Sequence, residues 1–338
     1  MRGLLSALCL GLAVMAATPA PAQVLSFSEL DGWKADDQLA ALASFRATCD
    51  LLDAPEWGPL CKLAADIRTA PQARDFFELM FRPVIVGDPP ALFTGYYEPE
   101  LDGSPVRTPR FAYPIYRRPP ELRDGQTYLT RAQIEGGALR GRGLELAWLD
   151  DPVEVYFLQV QGSGRIRMAD GRTIRVGYAG RNGHEYRSVG KAMVDRGTHT
   201  LDQVSAQEIR SYVRNVSGSS LLNLNPSYVF FRKIDTLDDD MGPIGAMTRS
   251  ITAMRSVAID SDYTPLGVPV WIEKDGRDPI RSLMVAQDTG GAIKGAQRAD
   301  IFYGTGDAAG DRAGTIRDGG RMVLLLPIDR AYAMMPDG

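Results

Sequence analysis

The chain has 338 residues, 44% of them hydrophobic and 24% charged, which is the balance of a soluble globular protein of about two domains. A net charge of −4 and the lack of any long basic run argue against a nucleic-acid partner, and two histidines with three cysteines are too few for a clustered zinc site. No cofactor and no metal is expected.

The N-terminus reads as an export signal. Met1-Arg2 is a short positive start, Leu4 to Ala17 is apolar and uncharged, and Ala20-Pro21-Ala22 offers small residues at a cleavage site after Ala22. The apolar run is shorter than the roughly 20 residues that span a bilayer. Cys9 follows Leu8 rather than a small residue, so a lipid anchor is not expected. A periplasmic, soluble protein is.

Residues 28–82 carry apolar side chains at three- and four-residue intervals, which predicts helices, with Ser26 and Asp36 as starting caps. In an oxidising compartment Cys49 and Cys61 are expected to form a disulfide stapling a helical hairpin, the alternative being two buried thiols.

From about 92 the character changes to strands between Pro and Gly turns. "VEVYFLQVQGSGRIRM" (153–168) alternates, which predicts a strand turning at Gly162-Ser163-Gly164 and pairing with "GRTIRVGYAG". Helices are expected at 185–196 and, from Ser205, at 205–215. The chain is strand-rich again from 243. Boundaries fall near 100 and 235, giving a signal at 1–22, helices and the first part of one domain at 23–100, a β-domain at 101–235, and a final domain at 236–338. The middle domain is either inserted into the outer one or placed in line with it.

"AQDTGGAIKGAQRADIFYG" (286–304) holds the chemistry. Asp288-Thr289-Gly290 matches the triplet of aspartic proteases, but those need two such triplets and this chain has one. Asp300, among Ala299, Ile301 and Phe302, has the apolar setting that raises a carboxyl pKa and makes a general acid. Glycines at 290, 291 and 295 let a ligand approach the backbone. Asp260 adds a third aspartate. Thr94, Tyr96, Tyr97, Gln161, Ser163 and Lys294 are candidate substrate-binding residues. Glu98 is an alternative acid, and His184, with no clustered partner, reads as a loop histidine rather than a ligand.

Asp260, Asp288 and Asp300 with "DTGGAIKG" resemble the 3D domain, named for its three aspartates. "FTGYYEPEL", "VYFLQVQGSGRI", "GYAGRNGHEYRSVGKAM" and "NPSYVFFR" precede it in order. Together they resemble the membrane-bound lytic murein transglycosylase A family over about 85–327. The resemblance implies a mainly β protein with N-terminal helices: a six-stranded double-psi β-barrel, a smaller inserted β-domain, and a glycan groove between them. It implies cleavage of the β-1,4 bond between N-acetylmuramic acid and N-acetylglucosamine in peptidoglycan with formation of a 1,6-anhydro sugar, Asp300 being catalytic and Asp288 supporting. The alternatives are an inverting hydrolase using both aspartates, and a non-catalytic peptidoglycan-binding module. A monomer acting on glycan strands, with cell-wall synthesis or turnover proteins as possible partners, is expected.

Overall fold

The computed structural model describes residues 22–334; the expected export signal at 1–22, apart from Ala22, and Cys9 with it, lies outside them. Among the described residues the chain forms two mixed sheets and several helices. In chain order the strands are β1 (Ala22–Val24), β2 (Phe81–Val86), β3 (Leu92–Glu98), β4 (Glu100–Ser104), β5 (Tyr113–Tyr116), β6 (Glu145–Leu149), β7 (Ser163–Met168) and β8 (Thr173–Arg181). They continue as β9 (Val229–Ile234), β10 (Ser256–Ile259), β11 (Pro269–Lys274), β12 (Ile280–Thr289), β13 (Arg298–Thr305), β14 (Arg317–Asp318) and β15 (Gly320–Pro327).

The large sheet runs β1-β2-β15-β11-β12-β10-β13-β3-β14, and the small one β5-β6-β4-β7-β8-β9. Residues 22–98 and 256–327 therefore build one sheet, and 100–234 the other. No closed barrel appears in this pairing. Most pairs are antiparallel; β10 with β12, β13 with β3, and β4 with β7 are parallel.

Three N-terminal helices, α1 (Gln38–Arg46), α2 (Trp57–Ala65) and α3 (Ala70–Met80), cover the large sheet. Phe45, Trp57, Phe76, Phe77 and Phe81 form a connected aromatic cluster, and Trp33 packs edge-on to both Phe77 and Trp271. Such pairs add about 0.5–1.5 kcal/mol each beyond burial. A disulfide joins Cys49 to Cys61, with Cα atoms 5.7 Å apart, between the short turn after α1 and helix α2.

Two local expectations are corrected. The cap of α1 is Asp37, which accepts from the Ala40 N–H. Asp36 instead accepts from the Arg255 guanidinium at 3.0 Å and the Leu283 N–H at 2.9 Å, tying the N-terminal segment to the sheet. More consequentially, 152–161 is a helix, not a strand. Asp151 accepts from the Val153 N–H at 2.7 Å, Pro152 occupies the first turn, and Gly162 closes the end in a left-handed conformation. The helix lies between two apolar clusters, with Val155 and Leu158 in one and Val153, Tyr156 and Phe157 in the other. Burial on several sides hides the helical period and leaves an accidental alternation. The hairpin from β7 to β8 consequently turns at 169–172, not at Gly162-Ser163-Gly164.

Helices Val189–Asp195 and Ala206–Tyr212 lie within the spans expected for them; Ser205 caps the second through the Glu208 N–H.

Candidate active site

One row of side chains crosses the large sheet. Asp288 on β12 is paired with Ala258 on β10, Ala258 with Asp300 on β13, and Asp300 with Thr94 on β3. Directly paired residues project to the same face, so both carboxylates and the threonine share one surface. Two strand spacings, roughly 9–10 Å, separate the aspartate Cα atoms, and only an alanine stands between them. Around the row lies an apolar patch of Tyr96, Ile251, Ala258, Ile293 and Phe302.

The two carboxylates are held differently. Asp288 accepts three hydrogen bonds: Tyr96 hydroxyl to Oδ2 at 3.0 Å, and the Ala246 and Thr289 N–H groups to Oδ1, each at 2.9 Å. Asp300 accepts one, from the Thr94 hydroxyl to Oδ1 at 2.5 Å, and Arg298 in turn donates to Thr94 Oγ1 at 2.8 Å. Burial lifts the Asp288 carboxyl to about 6, against the pull of its donors and with a further push from the Asp300 charge. Burial likewise raises Asp300, opposed by the nearby Arg298 cation and the Thr94 hydrogen bond. Tyr96 is held well above the usual phenol range, by burial first and then by Asp288, and so stays a hydrogen-bond donor.

Asp260, just beyond β10, anchors the glycine loop between the other two aspartates. It accepts from the Gly295 N–H at 2.9 Å and from Lys294 at 3.1 Å. Burial alone would raise its carboxyl, but these donors together outweigh it and hold the pKa low. Lys294 is therefore an exposed partner of Asp260 rather than an unpaired charge.

The row opens into a cleft of about 820 Å³ lined from both sheets. Tyr96, Gln161, Ser163, Lys294, Asp288 and Asp300 all line it. Gln161 also accepts from the Tyr97 N–H at 3.0 Å, joining the two sheets beside the site. Thr94 is corrected: it is not among the residues lining the cleft and hydrogen-bonds Asp300 instead. Tyr97 is corrected: its ring packs on the helix Asp307–Ala313 near Gly310, and its hydroxyl accepts from Arg210, away from the cleft. Glu98 is also corrected. It is 1% exposed and paired with Arg165 at 2.9 Å and Arg175 at 3.1 Å, outside the cleft, so it has no route to a substrate. His184 meets the Tyr128 carbonyl at 2.9 Å. Arg298, the Ala246 N–H, and the cleft aromatics Tyr178 and Tyr186 were not anticipated. Only Arg298, two residues before Asp300, carried a sequence signal. Among the described residues, no group of three His, Cys, Asp or Glu side chains converges as a metal site would require.

A large sheet carrying two unlike carboxylates, facing a smaller sheet across an open cleft, defines a two-lobed β protein with a carboxylate pair on the cleft floor. The comparisons narrow this. Residues 92–232 match the MltA specific insert domain and residues 255–326 the 3D domain. Membrane-bound lytic murein transglycosylase A of Escherichia coli (strain K12) is 38% identical over 247 residues, covering 69% of this chain; the match spans 65% of that relative's length. A membrane-bound lytic murein transglycosylase structure from Agrobacterium tumefaciens superposes with a TM-score of 0.85 at 32% identity, covering 93% of this chain and 99% of that one. The structure of E. coli MltA with bound chitohexaose superposes with a TM-score of 0.72 at 30% identity, covering 86% and 90%. The chain belongs to the membrane-bound lytic murein transglycosylase A family. No described helix is long and apolar enough to cross a membrane.

Proposed function

We propose that this protein is a periplasmic lytic transglycosylase that cleaves peptidoglycan glycan strands between N-acetylmuramic acid and N-acetylglucosamine, acting as a monomer. The observation that carries this reading is the unequal holding of Asp288 and Asp300 on one row of the cleft floor. Protonated Asp300 gives its proton to the glycosidic oxygen as the bond to C1 breaks through an oxocarbenium-like state. The same carboxylate then takes the proton of the muramic acid 6-hydroxyl as that oxygen closes on C1. Asp300 ends protonated, no water is consumed, and the product is a 1,6-anhydro sugar. Asp288, engaged by three donors, fixes the geometry of Tyr96 beside the row.

Two finer points belong to this reading. Residues 23–100 and 236–338 form one lobe whose strands include a six-stranded double-psi barrel, and 101–235 form the inserted lobe that closes the groove. Tyr96, Gln161 and Ser163 contact the glycan, and Lys294 flanks it.

The test is digestion of purified sacculi with analysis of the soluble products. Products ending in 1,6-anhydro-muramic acid are expected. An inverting enzyme would use both carboxylates, roughly 6.5–9.5 Å apart, so reducing ends would instead assign Asp288 as a base. No soluble product would leave a binding module.

A further inference from the structure

Beside Asp300 lies a buried cation with no carboxylate of its own. Arg298 is 9% exposed and forms no ion pair among the described residues. Its guanidinium donates to the Leu92 carbonyl at 3.3 Å, the Ala299 carbonyl at 2.6 Å and Thr94 Oγ1 at 2.8 Å. A buried guanidinium without a paired counter-charge is costly, and a fold that keeps one calls for a reason. The carboxylate whose charge reaches it is Asp300, one hydroxyl away. Strand alternation puts Arg298 and Asp300 on one face of β13, paired with Leu92 and Thr94 of the parallel β3.

The hydrogen bonds at Thr94 supply the reason. A hydroxyl has one hydrogen and two lone pairs, and a guanidinium can only donate. Arg298 therefore occupies a lone pair of Thr94 Oγ1. Among the described residues that oxygen meets one other partner, Asp300 Oδ1 at 2.5 Å. The threonine hydrogen has this single acceptor, so Oδ1 receives it whether the carboxyl is charged or neutral. A proton placed on Oδ1 would strand the threonine hydrogen. Asp300 lines the cleft, and its Oδ2 has no protein partner among the described residues. The other charged or titratable groups around Asp300 are Asp288 on β12, Tyr96 on β3 and Tyr303 on β13, while Arg317 on β14 flanks Arg298. None of them takes the place of Arg298 at Thr94 Oγ1.

We infer that Arg298 is a positioning residue for the acid: acting through Thr94, it keeps Oδ1 of Asp300 occupied, so that the transferred proton leaves from Oδ2 and returns to it. The inference rests on the reading of Asp300 as acid and base. Its test is kcat and the pH profile of kcat/KM on sacculi for substitutions at Arg298. Arg298→Met should lower kcat by about tenfold or more, because the proton can then sit on the wrong oxygen. It should also carry the alkaline limb of kcat/KM upward by about one pH unit, because a cation favouring the charged carboxylate is gone. Arg298→Lys, which keeps the charge, should leave the limb in place. In a Thr94→Val background, where the link is already broken, Arg298→Met should cost less than about twofold further in kcat. A limb that does not move in Arg298→Met, a limb that moves equally in Arg298→Lys, or losses at Arg298 and Thr94 that multiply would make Arg298 structural and overturn the inference. If Arg298→Met does not fold, Arg298→Gln decides. It keeps an amide donor for Thr94 without the charge, so the limb should rise while kcat stays within about threefold of the parent; a fixed limb overturns the inference. If Asp300→Ala keeps turnover, the acid assignment itself fails; if Asp300→Ala is inactive and the Arg298→Met profile is unmoved, only this inference does.

Discussion

Asp300 and Asp288 share a surface but are held by different partners, and substitutions should separate the roles proposed for them. Asp300→Ala is expected to lower turnover of sacculi by about 10²–10⁴-fold while glycan binding persists, since it removes only the proton carrier. Retained turnover would move the acid elsewhere. The Thr94 hydroxyl favours the charged form of Asp300, so Thr94→Val should raise the Asp300 pKa and carry the alkaline limb of kcat/KM upward by about one pH unit. A limb that stays in place would mean another group titrates. Asp288 tests the reverse of catalysis. Its carboxyl is lifted to about 6 in the folded protein, so the native state binds the extra proton and stability falls as pH rises from about 4 through 6. Asp288→Asn should therefore stabilise the fold at pH 8, by on the order of 3 kcal/mol at most, and give no gain at pH 4. Denaturant melts at the two pH values check this; a gain of equal size at both would point to packing rather than charge.

The strand β3 brings several site residues together because it lies parallel to β13 and against the helix Asp307–Ala313. Gly95 is where that helix presses closest: an added Cβ would meet the Ala313 backbone at 2.8 Å and the Tyr303 ring at 2.9 Å. Gly95→Ala must push β3 or the helix aside. It should cost about 1–3 kcal/mol and reduce turnover more than the stability loss explains, because Thr94 and Tyr96 flank the shifted residue. Equal melting temperatures and equal rates would show that the contact can yield. The helix Pro152–Gln161 teaches a different lesson about elements. Its cap, its first-turn proline and its closing glycine were all present in the sequence, yet the apolar alternation of Val153, Val155 and Phe157 pointed to a strand. Caps are local signals, whereas the burial that erased the helical period comes from packing between two clusters.

Across the molecule, Glu98 joins the two sheets. It lies on the large sheet, and its partners Arg165 and Arg175 lie on the small one and also donate to the carbonyls of Asp238, Asp239 and Met241 in the returning segment. Glu98→Ala would leave two buried or near-buried guanidinium groups without their counter-charge, at a cost of about 3–5 kcal/mol. Hydrogen exchange should accelerate first at 235–243 and along β7 and β8. Unchanged exchange there would deny Glu98 a part in holding the sheets together.

The sequence by itself determined the chemistry-bearing segment, the three aspartates, the glycines between them and the family they resemble, because close backbone approach and carboxylate chemistry demand particular residues in a local order. It also made Cys49 and Cys61 natural partners. Only the tertiary structure decided that Ala258 stands between Asp288 and Asp300, that Thr94 and Arg298 meet beside Asp300, and that Tyr97 and Glu98 turn away from the cleft. Those facts depend on which strands lie side by side across more than two hundred residues of chain, and strand register is set by the packing of whole sheets rather than by any one stretch of sequence.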